Sequence, residues 1–134
     1  MFDIFGKNRK AGGRKSKYHD QWQEMNTELV ALINASRIEE ASLLGQQLVE
    51  FVDKHFRKDA PEKATTYNNM GMVFLFKRDY DIAAQCFSDA LAMRRRLFGD
   101  DHNEVAVILL NLSQLYQLQA QEIMAGNRVE TKTH

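Results

Sequence analysis

Motifs return along this chain at a constant offset of 42 residues. Asp59-x-x-Glu62-x-Ala64 comes back as Asp101-x-x-Glu104-x-Ala106. Phe56 is matched by Phe98, Asn69 by Asn111, and Ile38-x-x-Ala41 by Tyr80-x-x-Ala83. Met25, Tyr67 and Leu109 fall in one column, and Leu32, Phe74 and Tyr116 in another. One recurrence arises by chance, whereas a shared offset over several columns does not. Such a repeat constrains the fold strongly, because a single unit cannot bury its apolar face and its copies must stack.

The unit itself reads as two helices and a tight turn. Apolar residues recur at three- and four-residue spacing through Trp22, Met25, Leu29, Leu32 and Ile33, the period of a helix with one buried face. Ser36-Arg37-Ile38-Glu39 has capping-box form and predicts a second helix through Ala41, Leu44, Leu48, Phe51 and Val52. Asp59-Ala60-Pro61-Glu62 opens a third, with aspartate as cap and proline in the first turn. Asp79 is the expected cap of a fourth, carrying Ile82, Ala83, Phe87, Ala90, Leu91 and Met93. After Gly99-Asp100, the run Asp101-His102-Asn103-Glu104 opens a fifth helix, with Gly126 as its expected stop. Gly71 and Ala83 mark close helix approach, and Tyr67, Phe74 and Phe87 fill the gaps. No strand is required anywhere.

Tyr67-x-x-Met70-Gly71-x-x-Phe74 followed by Ala83-x-x-x-Phe87-x-x-Ala90 resembles the tetratricopeptide repeat signature at nearly every position. A segment Ala90-Leu91-Ala92-Met93-Arg94 leads through Leu97-Phe98-Gly99-Asp100-Asp101-His102 to Val105-Ala106 and Leu110-Asn111-Leu112. With the 42-residue spacing, it is similar to the longer-repeat subfamily typified by kinesin light chains. The match covers residues 61–118. Residues 18–58 keep the period but place Glu28 and Leu29 where a large apolar residue and a small one are usual, and Gly45 where Phe is usual. They read as a degenerate first repeat.

The resemblance implies an all-α fold, a short right-handed α-solenoid of about five helices in stacked antiparallel pairs. The expected organisation is an arm over 1–17, a helical domain over 18–126 and a disordered tail over 127–134. Within the domain, 18–58 is the degenerate repeat, 60–99 the clear one, and 102–126 a partial repeat or capping helix. The resemblance also implies a non-enzymatic scaffold or adaptor that binds a protein or peptide on its concave surface, lined by the first helix of each pair, and partner binding or self-association as a homodimer or higher oligomer is expected to protect the open ends of the stack. The residues placed there are Asn26, Val30, Thr65, Asn68, Asn69, Met72, Leu75, Phe76, Leu110, Asn111, Gln114 and Leu118. Side-chain amides both donate and accept, so the asparagines can grip a peptide backbone. Equally, they can bridge neighbouring helices, with Leu75, Phe76 and Leu118 simply core. Val30, Met72 and Leu110 leave no cationic clamp for a C-terminal acidic motif.

Other chemistry finds little footing. His19, His55, His102 and His134 are scattered without metal-binding spacing. The single Cys excludes an internal disulfide, and Cys86 reads as small apolar filler beside Phe87. There is no glycine-rich phosphate loop. No catalytic residue, metal or cofactor is expected. Apolar runs are too short for a membrane span and the N-terminus lacks secretory form, so a cytoplasmic location is expected.

Charge is unevenly spread. The formal net charge is +0, yet residues 1–17 carry Lys7, Arg9, Lys10, Arg14, Lys15 and Lys17 against Asp3 alone, while residues 18–134 are acidic. The arm supplies an alternative function, contact with an anionic membrane or nucleic-acid phosphates, the repeats then serving as a dimerisation body. Arg94-Arg95-Arg96 is a second basic cluster, read either as a solvated helix C-terminus favoured by the macrodipole or as a site for an acidic partner.

Overall fold

The computed structural model describes residues 17–132, with side chains to 127. These residues form five α-helices and no strand: α1 (Lys17–Asn34), α2 (Ile38–His55), α3 (Pro61–Phe76), α4 (Tyr80–Phe98) and α5 (Asn103–Lys132). The pairs α1–α2 and α3–α4 each pack closely. Helix α3 also touches α2, α1 and α5, and α4 touches α5. The first helices therefore run side by side, with the second helices wedged between them. The architecture is all-α, a short tetratricopeptide-type solenoid.

Two apolar clusters hold it. One gathers Trp22, Leu29, Ile33, Ala41, Leu48, Val52, Met70 and Val73. The other gathers Met72, Leu75, Ala83, Phe87, Ala90, Ile108 and Leu115. Tyr67 and Phe74 of α3 pack against both, so the central helix serves two cores. That is why most α3 residues are buried.

The turns inside the two hairpins have one design. Ser36 and Arg78, 42 residues apart, both take left-handed backbone, at φ 60° and 64°. At each, one amide returns to the carbonyl three residues back and the next returns to the carbonyl five back (Ser36 to Ile33 and Arg37 to Leu32; Arg78 to Leu75 and Asp79 to Phe74). This pairing closes the orphan carbonyls of the first helix in a Schellman motif.

Several expectations about helix ends are corrected. Ser36 does not cap α2. It ends α1, and Arg37 occupies the cap position without a side-chain bond. Asp59 does not cap α3 either. Ala60 stands there, with Pro61 in the first turn, and Asp59 instead accepts two bonds from the Arg96 guanidinium at 2.8 and 3.0 Å. Asp79 holds the cap position of α4 but makes no capping bond. At α5 the cap is the His102 ring, whose Nδ1 accepts from the Glu104 amide at 3.1 Å. Gly126 does not stop α5, which runs on to Lys132, so the expected tail from 127 is helical through that residue. A lone glycine costs a helix about 1 kcal/mol but breaks no hydrogen bond, and among the described residues no left-handed residue or proline follows it.

Lys17 is likewise the first residue of α1 rather than the last of an arm. Lys7, Arg9, Lys10, Arg14 and Lys15 lie outside the described residues.

Candidate functional site

The side chains placed on the inner face by repeat register do not share one environment. Asn26, Thr65, Asn68, Asn69, Met72, Leu75 and Asn111 are buried. Val30 and Leu118 are half-buried, and Phe76, Leu110 and Gln114 are exposed. The first group is corrected as a set of ligand contacts: once α1 and α5 close on α3, no partner reaches it.

The asparagines form bridges instead. Asn69 on α3 donates Nδ2 to Asn26 Oδ1 on α1 at 2.9 Å, and Asn111 on α5 donates Nδ2 to Asn68 Oδ1 on α3, also at 2.9 Å. The same bond is thus made twice, one repeat apart, between successive first helices. Asn26, Asn68 and Leu110 occupy one column at the 42-residue offset, and the first two are acceptors. Leu110 sits where a further acceptor would stand. No helix beyond α5 reaches it among the described residues, and it is 70% exposed.

The seam between α1 and α3 carries two more polar links at helical spacing. Trp22 Nε1 donates to Thr66 Oγ1 at 2.8 Å, and Thr66 Oγ1 donates to the Glu62 carbonyl at 2.8 Å. His19 Nδ1 lies 2.7 Å from Glu62 Oε2. His19, Trp22 and Asn26 fall three and four residues apart on α1, so all three reach α3 from one face. The seam is thereby sealed against a ligand.

The basic cluster resolves into three separate fates. Arg94 is buried, and its guanidinium donates to the Glu104 carbonyl at 2.9 Å and to Thr65 Oγ1 at 3.3 Å, with the Glu104 carboxylate 3.8 Å away. Burial lowers its pKa to about 10, opposed in part by Glu104. Arg96 is bound to Asp59, which holds that carboxyl below its ordinary range. Arg95 approaches Asp100 at 3.6 Å. Neither earlier reading of the cluster holds for Arg94. It stands one repeat after Val52, so a cation in an apolar column was the available signal for a buried strut.

What stays accessible on the inner side is a rim of Val30, Phe76, Leu110, Gln114 and Leu118 around the closed asparagine floor. On the opposite side, Val49 of α2, Tyr67, Met70 and Phe74 of α3 and Cys86 of α4 line a cleft of about 380 Å³. The Tyr67 hydroxyl donates to Asp53 at 2.9 Å, and burial together with that bond pushes its pKa up to about 12. Burial raises the Cys86 thiol to about 11, which disfavours the thiolate a nucleophile needs. Among the described residues, no group of His, Cys, Asp and Glu can hold a metal ion, and no helix is long and apolar enough to cross a membrane.

Stacked helix pairs with this inner register define a class, and comparison with known proteins agrees with it. Residues 62–125 match the family model described as tetratricopeptide repeat. With the fold, this match supports a repeat protein of tetratricopeptide type. The chain is also similar to the RxLR effector protein SFI4 of Phytophthora infestans (strain T30-4), at 28% identity over 74 residues. The aligned stretch is 55% of this chain and 22% of that protein, so the chain spans about a fifth of the length of the relative it matches. Tetratricopeptide repeats generally mediate protein–protein interaction and are typically non-enzymatic.

Proposed function

We propose that this protein is a non-enzymatic scaffold or adaptor that takes a protein or peptide partner along the inner rim of its first helices. Leu110 carries this reading. It is a large apolar side chain left 70% exposed at the open edge of the asparagine ladder. Phe76, also exposed, stands on the neighbouring helix, and Gln114, exposed four residues beyond Leu110 on α5, offers an amide. Apolar anchors beside a few polar groups are what an extended peptide requires. The buried asparagines hold the floor rigid without touching the partner.

The 42-residue register further supports placement in the longer-repeat subfamily typified by kinesin light chains. It also supports α1–α2 as a degenerate first repeat, since Asn26 meets Asn69 as Asn68 meets Asn111. A cytoplasmic location accords with this reading.

The test is quantitative pull-down from the source cell with wild type, Phe76→Asp and Leu110→Asp side by side. Both substitutions fall on exposed side chains, so the fold should be kept. Loss of the same captured protein by both variants supports the inner rim. Capture unchanged by both retires it.

A further inference from the structure

Helix α5 leaves uncovered a face that its predecessors bury. The columns Met25–Tyr67–Leu109 and Leu32–Phe74–Tyr116 show this directly. Met25 and Leu32 pack against the first core, and Tyr67 and Phe74 against both cores. Leu109 and Tyr116 are 43% and 54% exposed. The cause is the missing turn. Where the chain reverses after α1 at Ser36 and after α3 at Arg78, α5 passes the equivalent residue, Ala120, as uninterrupted helix. Among the described residues, no second helix folds back to cover it. One helical heptad beyond Tyr116, Ile123 extends the same stripe and is 57% exposed.

The charge and the spacing of this face indicate what covers it. From Val105 to Gln121, α5 contains no charged residue, although a helix face left to solvent ordinarily carries charge. A strongly charged partner or surface finds nothing there to pair with, whereas an identical helix meets it without like-charge repulsion. The stripe is also balanced end to end. Tyr116 stands near the middle of Asn103–Lys132, with Leu109 and Ile123 seven residues to either side. A two-fold axis at Tyr116 therefore sets Leu109 of one copy against Ile123 of the other, twice, and overlaps nearly the whole helix antiparallel. Ser113 and Ala120 beside the stripe are small enough to let the backbones approach. A 30-residue helix is about 45 Å long. Two of them paired along their length bury on the order of 1,000 Å², about the threshold of a biological interface and below the roughly 1,200 Å² at which stable ones begin.

We propose that the protein is a homodimer in which α5 of one copy packs antiparallel on α5 of the other, the second copy covering the stripe of Leu109, Tyr116 and Ile123. Such an interface is isologous and closes on itself. It uses the outward side of α5 and is independent of the inner rim, so either proposal can fail without the other.

Sedimentation velocity on the full chain tests it, with Trp22 emission as the check on the core, since that indole is fully buried. Wild type should sediment at twice the 15.5 kDa chain mass. Tyr116→Glu should sediment as a monomer with unchanged Trp22 emission. Should that variant fail to fold, Ile123→Glu at the more exposed end gives the same reading. Orientation is read by disulfide trapping in a Cys86→Ser background. Tyr116→Cys should cross-link to itself, and a mixture of Leu109→Cys with Ile123→Cys should give the mixed product in excess of either self-product. The proposal is overturned by a wild type that is monomeric at about 100 μM, alone or bound to a foreign protein. A dimer that survives both glutamate variants, or self-linking of Leu109→Cys that matches the mixed product, overturns it as well.

Discussion

Asn69 and Asn111 each spend one amide N–H on an asparagine of the preceding first helix, at 2.9 Å and out of water. The rest of the ladder is only partly satisfied: Asn26 Nδ2, Asn68 Nδ2 and Asn69 Oδ1 meet no hydrogen-bond partner among the described residues. A buried amide stripped of its partner carries its full desolvation cost, about 1–3 kcal/mol, whereas removing both partners together costs less. Asn69→Leu and Asn26→Leu should each lower the urea-unfolding free energy by about 1–3 kcal/mol, and the double variant should cost less than the sum. Additive losses in that cycle would show that the bridge contributes nothing. Cys86 makes a second residue-scale prediction. Its thiol is raised from 9.0 to about 11 by burial, so the native state holds the proton more tightly than the unfolded chain. That contribution is complete below pH 9 and is lost as pH rises through about 11. Between pH 8 and 11 the urea midpoint of wild type should fall further than that of Cys86→Ala. Tyr67 also titrates at the upper end, but it is common to both proteins and cancels in the difference.

At the scale of the helix, the degenerate first hairpin departs from the second at two matched positions. Leu29 of α1 stands at the register of Gly71 in α3, and Gly45 of α2 at that of Phe87 in α4. The large residue stands on the first helix and the small one on the second, the reverse of α3 and α4. In the second hairpin a methyl on Gly71 would meet the Phe87 ring at 2.5 Å, while at Gly45 it would meet the Met70 sulfur at 2.1 Å. A buried aromatic ring has nowhere to go, but a thioether changes rotamer readily. Gly71→Ala should therefore be less stable than Gly45→Ala by about 1 kcal/mol or more in thermal or urea unfolding, although both gain about 1 kcal/mol in helix propensity. The turns yield a converse expectation. Ser36 holds φ 60°, a conformation that costs a side chain about 1–2 kcal/mol, so Ser36→Gly should raise stability by about 0.5–1 kcal/mol after its larger unfolded-state entropy is counted. Ser36 is the clean site, because Arg78 at the equivalent turn also donates to Glu122. The five helices were legible because their apolar period is strong, and the helix ends were not. Serine and arginine at left-handed positions lack the glycine that announces one, and Asp59, which looks like a cap, binds Arg96 instead. The site was half legible for a related reason. Repeat register shows which α3 residues look inward, but not that α1 and α5 close over them.

Taken whole, the molecule is tightly bound in its centre and thinly bound at the far end of α5. Helix α3 belongs to two cores, whereas α5 beyond Leu118 buries none of its described side chains and meets the body where Glu122 accepts from the Arg78 guanidinium and the Tyr80 hydroxyl. Those contacts hold the Glu122 carboxyl below its ordinary range and lie at the protein surface, so they anchor the helix weakly. The last stretch of α5, from Gln119 to Lys132, is no longer than the roughly 12–15 residues at which a helix without packing is marginal in water. A further surface would hold it more firmly, and the antiparallel second copy provides one through Ile123. Hydrogen exchange then separates two regions of a single helix. Amides over 105–115, packed by Val105, Ile108 and Leu115, should be protected at any protein concentration. Amides over 119–132 should gain protection as concentration rises through the dimer range, and should lose it in Tyr116→Glu. Protection of 119–132 that is equally strong in dilute solution would place the stabilising contacts within one chain, and the exposed stripe on α5 would then need another explanation.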